Sequence, residues 1–318
     1  MCSDIKGDII QQVTNKTARY NSDNITRTKA YQNFYLKNRE IRWAFLASMV
    51  SRNAGWNMTD LAISPLKTLL TDKQRGMLFS TYERANWLIF SDAYPQLLLY
   101  QLSKERKTPL FHHLDKFHVS QFMINEWIRF WETKDKSRLV KALIINEQNV
   151  IENPVIQQPW YQHKVFHQWP YMLESIFRLN VVLLPVRSGR LYGLPVYRFT
   201  HLDQRIAIGN TLTEMLFHPD YYPDFHDFAL NVEPTGSRKD YEQFFYDSMA
   251  SAPPLQQIYS IVQHQDNIRE DWFRLRGLKQ KWWQIRLPLP DDAPRRYYVK
   301  KQALMQLSKW MSSTGGRG

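Results

Sequence analysis

The 318-residue chain is 43% hydrophobic and 23% charged, with 11 Gly and 16 Pro, which excludes collagen-like, low-complexity and wholly disordered classes. Its 42 Lys+Arg against 30 Asp+Glu give a net charge of +12, unevenly placed: residues 1–60 hold nine basic and five acidic side chains, and residues 267–318 hold twelve and four. Basic ends around a neutral middle point to an anionic partner, and no apolar run approaches the roughly 20 residues that span a bilayer.

In chain order, Ile5, Ile9 and Val13 at helical spacing predict an N-terminal helix within residues 1–20, read as mobile, where a signal peptide would carry an apolar run. The lone Cys2 suits a reducing cytosol, so the expected location is cytoplasmic. Thr26, Arg27 and Thr28 fall on the next helix. Ile41, Phe45 and Met49 stripe a third, which should stop at Gly55 in a left-handed cap, with Trp56 folding back on the last turn. Thr71 and Asp72 cap a helix through Phe79, Asn86 and Phe90 that Pro95 breaks or kinks. Further helices are expected near 120–133, 135–151, 161–178, 201–217, 253–264, 267–284 and 295–311, before a disordered tail at 312–318. Val181–Val186 and Leu191–Val196 around Ser188 and Gly189 read as one small hairpin. The fold class is therefore mostly α: a single compact multi-helix domain over 1–311, with at most one β-hairpin near 181–196.

Candidate chemistry is thin. Ser51, Arg52, Asn53 and Asn57 beside Trp56 form either a structural hydrogen-bond network, the preferred reading, or an anion site in which Arg27 and Arg52 fork the ligand, with Asn53 beside them. PTGSRKDY (234–241) reads as a glycine turn and a helix whose Ser237 cap is answered by Asp240; Gly236, Ser237 and Arg238 are also an anion-cradle candidate. The run FHPDYYPDFHDF gathers His218, Asp220, Asp224, His226 and Asp227, the ligand types of a metal-dependent hydrolase, although a plain loop is preferred and no metal site is assigned. His163 with His167, and His112, His113 and His118, are weaker still. GxSxG, GxGxxG and the P-loop are absent from the sequence, so no cofactor is expected.

NITRTKAY (24–31), EIRWAFLASMVSRNAGWNMTDL (40–61) and PTGSRKDY together resemble the uncharacterised YppC-like family of spore-forming Gram-positive bacteria, over most of the chain. The resemblance implies a bacterial cytoplasmic protein and carries no catalytic residues. The helix before SRNAGWN also resembles that of lysozyme-like lytic transglycosylases, but Ser51 and Arg52 stand where a catalytic acid is required, so that reading is rejected.

The leading expectation is a non-enzymatic protein that binds nucleic acid or an acidic protein through two basic C-terminal helical faces. Arg274, Arg276 and Lys281 lie on the first, Arg295, Arg296, Lys300 and Lys301 on the second, with Trp283 or Tyr297 stacking on bases. The alternatives are the His218–Asp227 hydrolase and a protein–protein scaffold; no membrane partner is expected.

Overall fold

The structure is a computed structural model that describes residues 2–161, 181–196, 198–244, 252–265, 269–288 and 306. Helices dominate: α1 (Cys2–Tyr20), α2 (Asn24–Lys37), α3 (Arg42–Asp60), the short α4 (Leu66–Leu69) and the long α5 (Asp72–Arg106) lead to a 3-10 turn at Phe111–Phe117. Then come α6 (Gln121–Thr133), α7 (Lys136–Val150), a π-turn at Glu152–Ile156, α8 (Pro159–Tyr161), α9 (Leu202–Leu216) and α10 (Tyr222–Asn231). Strands β1 (Val181–Pro185) and β2 (Leu191–Pro195) form one antiparallel hairpin, with Val181 opposite Pro195 and Leu183 opposite Gly193. Gly189 supplies the positive φ that its turn needs. Among the described residues no helix is long and apolar enough to cross a membrane.

Helix α3 lies at the centre, in contact with α2, α5, α7, α9 and β1. Its stripe of Phe45, Met49 and Trp56 is buried together with Trp127 of α6 and Ile144 of α7. A second cluster joins Ile25, Met58, Leu78, Phe79 and Leu255. Ile9 and Val13 carry α1 into the main core. The predicted hairpin and the helices near 120–133, 135–151 and 201–217 stand where their periodicity places them.

Four expectations need correction. Helix α3 does not stop at Gly55 but runs to Asp60. A Cβ on Gly55 would sit 3.2 Å from Asn24 Nδ2 and from Gly236 Cα, so glycine serves close packing there rather than a left-handed cap. Helix α5 is not broken at Pro95 but continues to Arg106, although proline costs a helix about 3 kcal/mol. Phe90, Leu97, Leu98 and Leu99 are buried around it, at roughly 2 kcal/mol each, and outweigh that cost.

The helix expected over 253–264 shrinks to Leu255–Ile258, after which Tyr259 turns extended and stacks on Phe79 at 3.7 Å. The amphipathic helix expected over 267–284 is two short pieces, Trp272–Arg276 and a 3-10 turn at Gln280–Trp283, parted by Gly277 at φ 68°. Leu275 is 56% exposed, so the first piece does not bury a continuous apolar face. The segments 162–178 and 295–305, the tail 312–318, and His163 and His167 lie outside the described residues.

Candidate functional site

The three segments that carry the family resemblance converge in space. Asn24 donates to the Ser51 carbonyl at 2.6 Å, and the Thr28 hydroxyl donates to Ser51 Oγ at 2.6 Å. Trp56 Nε1 donates to Asp240 at 3.1 Å, and its ring packs edge-on against Tyr241 at 4.7 Å. Asp240 also accepts from the Thr235 backbone and hydroxyl, so it does not answer a Ser237 cap. Burial raises the Asp240 pKa above its ordinary value against these hydrogen bonds.

The expected anion ligands are engaged by protein here, Arg52 only in part. Arg27 forks Glu83 through Nη1 and Nη2 at 2.9 and 2.5 Å and gives Nε to Asn21. Burial pushes Glu83 upward, yet His264 and Arg27 beside its carboxylate prevail and hold its pKa below the usual value. Arg52 directs Nη2 at the carbonyls of Ala229 and Val232, 3.0 and 2.7 Å away, and so caps the C-terminus of α10, where the helix dipole favours a cation. Its Nε and Nη1 have no hydrogen-bond partner, and desolvation lowers its pKa to about 10.

Asn53 clamps Leu183 of β1 from both sides of its amide, at 2.7 and 2.6 Å, in the manner of a neighbouring strand. Ser237 Oγ donates to the Ala252 carbonyl, and Arg238 meets Asp60, Asn57 and Tyr241. A groove of about 830 Å³ does open beside Ser237, but Asp240 and Glu233 line it along with Lys239. These side chains are the ties that fasten α3 to α2, α10, the hairpin and the 234–241 segment.

At the basic end, the three expected cations that are described meet protein acceptors. Arg274 pairs with Asp271 at 3.5 Å, Lys281 with Asp203, and Arg276 donates to Asn153. Burial pushes the Asp203 carboxyl upward, but hydrogen bonds from Lys281 and Trp282 outweigh it and hold the pKa low. Trp283 is half-buried beneath the Arg138 guanidinium at 4.2 Å, which covers one of its faces. Arg295, Arg296, Tyr297, Lys300 and Lys301 lie outside the described residues.

The run from His218 to Asp227 does not assemble as ligands: among the described residues no three His, Cys, Asp or Glu side chains are placed to hold a metal. Asp227 pairs with Arg187, while His226 enters an aromatic cluster. That cluster is the feature sequence reasoning missed. Phe217 and Tyr222 stack at 5.5 Å, Phe45 lies 5.9 Å from both, and Tyr35 and Tyr222 share a hydroxyl–hydroxyl hydrogen bond of 2.7 Å. One such bond uses one of two O–H protons, leaving the second as a donor.

The Arg42 guanidinium sits 5.2 Å from the Phe217 centroid, and Arg39 lies near enough to favour ionised Tyr35 and to disfavour protonated His226. Desolvation dominates both pKa values, raising Tyr35 and lowering His226. Arg39 and Arg42 are exposed and have no carboxylate partner among the described residues. Glu40 between them is engaged by Lys104 and Tyr100 at 2.6 and 2.8 Å, and the first turn of α3 carries no acid. The signal available in sequence was Lys37, Arg39 and Arg42 within six residues, with Glu40 their sole acid.

A family model described as a protein of unknown function (DUF2515) matches residues 19–310. The chain is 43% identical over 307 residues to the uncharacterized protein YppC of Bacillus subtilis (strain 168), covering 95% of this chain and 96% of that protein. No solved structure matches it.

Proposed function

This chain belongs to the DUF2515 family, and from that premise we propose that it is a cytoplasmic, non-catalytic protein that binds a polyanion, single-stranded nucleic acid foremost, with Arg39 and Arg42 as the anchor. The observation that carries the reading is the pair of exposed guanidinium groups without carboxylate partners, Arg42 set against the Phe217 ring of the Phe217–Tyr222 stack and Arg39 near Tyr35 and His226. Guanidinium groups neutralise phosphates and release counterions, and the unused hydroxyl proton of the Tyr35–Tyr222 pair is a further donor to a phosphate oxygen. Tyr221, 37% exposed beside His218 and Tyr192 at 5.0 and 4.9 Å, extends the aromatic surface next along the chain.

The expected C-terminal platform keeps a place in this reading through Arg295, Arg296, Lys300 and Lys301, because residues 267–318 hold twelve basic side chains against four acidic. Arg274, Arg276 and Lys281 contribute less, each being turned onto a protein acceptor. Fluorescence anisotropy with a labelled single-stranded oligonucleotide tests the assignment. Binding should be strong at low salt and weaken about tenfold or more in the Arg39→Gln/Arg42→Gln variant. Loss of affinity only in the variant with Arg295, Arg296, Lys300 and Lys301 changed to Ser would move the anchor to the C-terminus, and no binding by the unaltered protein would end the proposal. Capture of an acidic protein instead of nucleic acid would favour the scaffold alternative.

A further inference from the structure

Helices α5 and α7, the π-turn at Glu152–Ile156 and the segment leading into Trp272 enclose a cleft of about 330 Å³, within the range of small-molecule sites. The π-turn contributes Asn153 and Pro154 to the wall, and π-turns are rare elements that recur at functional sites. Five Asp, Glu and Arg side chains line the cleft, and three of them are committed to protein. Asp92 accepts from Gln96 and Asn146 at 2.7 and 2.6 Å and faces Arg269 at 3.6 Å, while Arg269 also donates to the Phe117 carbonyl at 3.2 Å. Asp271 accepts from the backbone N–H groups of Gln121 and Phe273, both at 3.0 Å, and pairs with Arg274 at 3.5 Å.

Arg84 and Glu270 are different. Arg84 is half-buried, lies over the Trp87 ring at 4.8 Å and commits only Nη1 to protein, at the Gln265 carbonyl 3.1 Å away. Its Nε and Nη2 hold no hydrogen bond among the described residues. Glu270 is exposed, and its carboxylate has no partner among the described residues. These two side chains therefore line one cleft with opposite charge, too far apart to pair with each other. A guanidinium matches a carboxylate through parallel N–H donors, and a carboxylate accepts from an ammonium group. Arg84 alone would favour an anion and Glu270 alone a cation; together they favour a molecule that carries both charges.

We propose that this cleft is a binding site for a small zwitterion, the chemistry of a free α-amino acid, with its carboxylate on Arg84 and its ammonium group on Glu270. The site is independent of the Arg39–Arg42 anchor, because neither arginine is among its lining residues.

Saturation-transfer NMR on the full chain, with alanine, leucine and glutamine as separate probes, tests it. At least one should bind saturably; its N-acetyl form, which lacks the ammonium group, and its amide, which lacks the α-carboxylate, should each bind about tenfold more weakly. In Arg84→Gln the affinity of the amino acid should fall to that of its amide, and in Glu270→Gln to that of its N-acetyl form. Glu270→Gln alters an exposed side chain and gives a second reading if the Arg84 variant fails to fold. Arg39→Gln/Arg42→Gln should bind the amino acid as the unaltered protein does. Absence of saturable binding by all three amino acids overturns the proposal, as does affinity that is indifferent to both blocked forms or unchanged in both variants.

Discussion

Glu147 of α7 is a half-buried carboxyl group whose ionisation should contribute to the pH dependence of stability. Trp43 Nε1 donates to one of its oxygens at 3.0 Å and Gln148 Nε2 to the other at 2.9 Å. These two hydrogen bonds favour the carboxylate, but desolvation is larger and pushes its pKa up to about 7. A carboxyl with a higher pKa folded than unfolded binds more protons in the native state. Its contribution to stability is therefore full at low pH and is lost as pH rises from the unfolded value through about 7. The whole loss amounts to about 3–4 kcal/mol, most of it between about pH 5 and pH 8.

In Glu147→Gln the titrating group is gone while an acceptor for Trp43 remains. Urea denaturation of both proteins across that range isolates the effect, since every other group titrates alike in the two. The variant should gain on the unaltered protein as pH rises and exceed it at the alkaline end. Parallel stability curves would refute the argument that burial, rather than hydrogen bonding, governs Glu147.

Two further substitutions probe the ties around α3. Gly55→Ala would improve helix propensity by about 1 kcal/mol if the position were merely helical. The added methyl group would lie 3.2 Å from the backbone of Gly236, so thermal denaturation should instead show a loss of about 1–3 kcal/mol, and a rise in melting temperature would contradict the close packing. Glu83→Gln leaves the Arg27 guanidinium buried without its counter-charge and should cost about 3–5 kcal/mol in a denaturant titration, whereas Lys281→Ala, which breaks an exposed pair, should change stability by less than about 1 kcal/mol.

How far the fold was legible depends on whether a residue's role was local. The hairpin 181–195 and helices α6, α7 and α9 follow from alternation or from apolar spacing, which each segment carries within itself. Pro95 and Gly55 misled because their local meaning, a break and a stop, is overridden by burial of Phe90 and Leu97 in one case and by the approach of Gly236 in the other. Gly277 misled in the opposite sense, since a helical wheel ignores a glycine that takes a positive φ and ends the turn.

The site divides along the same line. Arg27, Arg52, Asn53 and Arg238 were visible as polar residues that need partners, but the partners lie 56, 177, 130 and 178 residues away. Arg39 and Arg42 were overlooked because lack of a partner is a property of the folded surface: Glu40 sits between them in sequence, and only the structure shows it turned to Lys104 and Tyr100.

The salt dependence of oligonucleotide binding bears most directly on the anchor formed by Arg39 and Arg42. Each cation that neutralises a phosphate of a single strand adds about 0.7 to the steepness with which log affinity falls against log salt. Replacing both arginines by glutamine should make that slope shallower by about 1.4, with the melting temperature unchanged. A variant whose slope equals that of the unaltered protein would show that no phosphate rests on these two side chains.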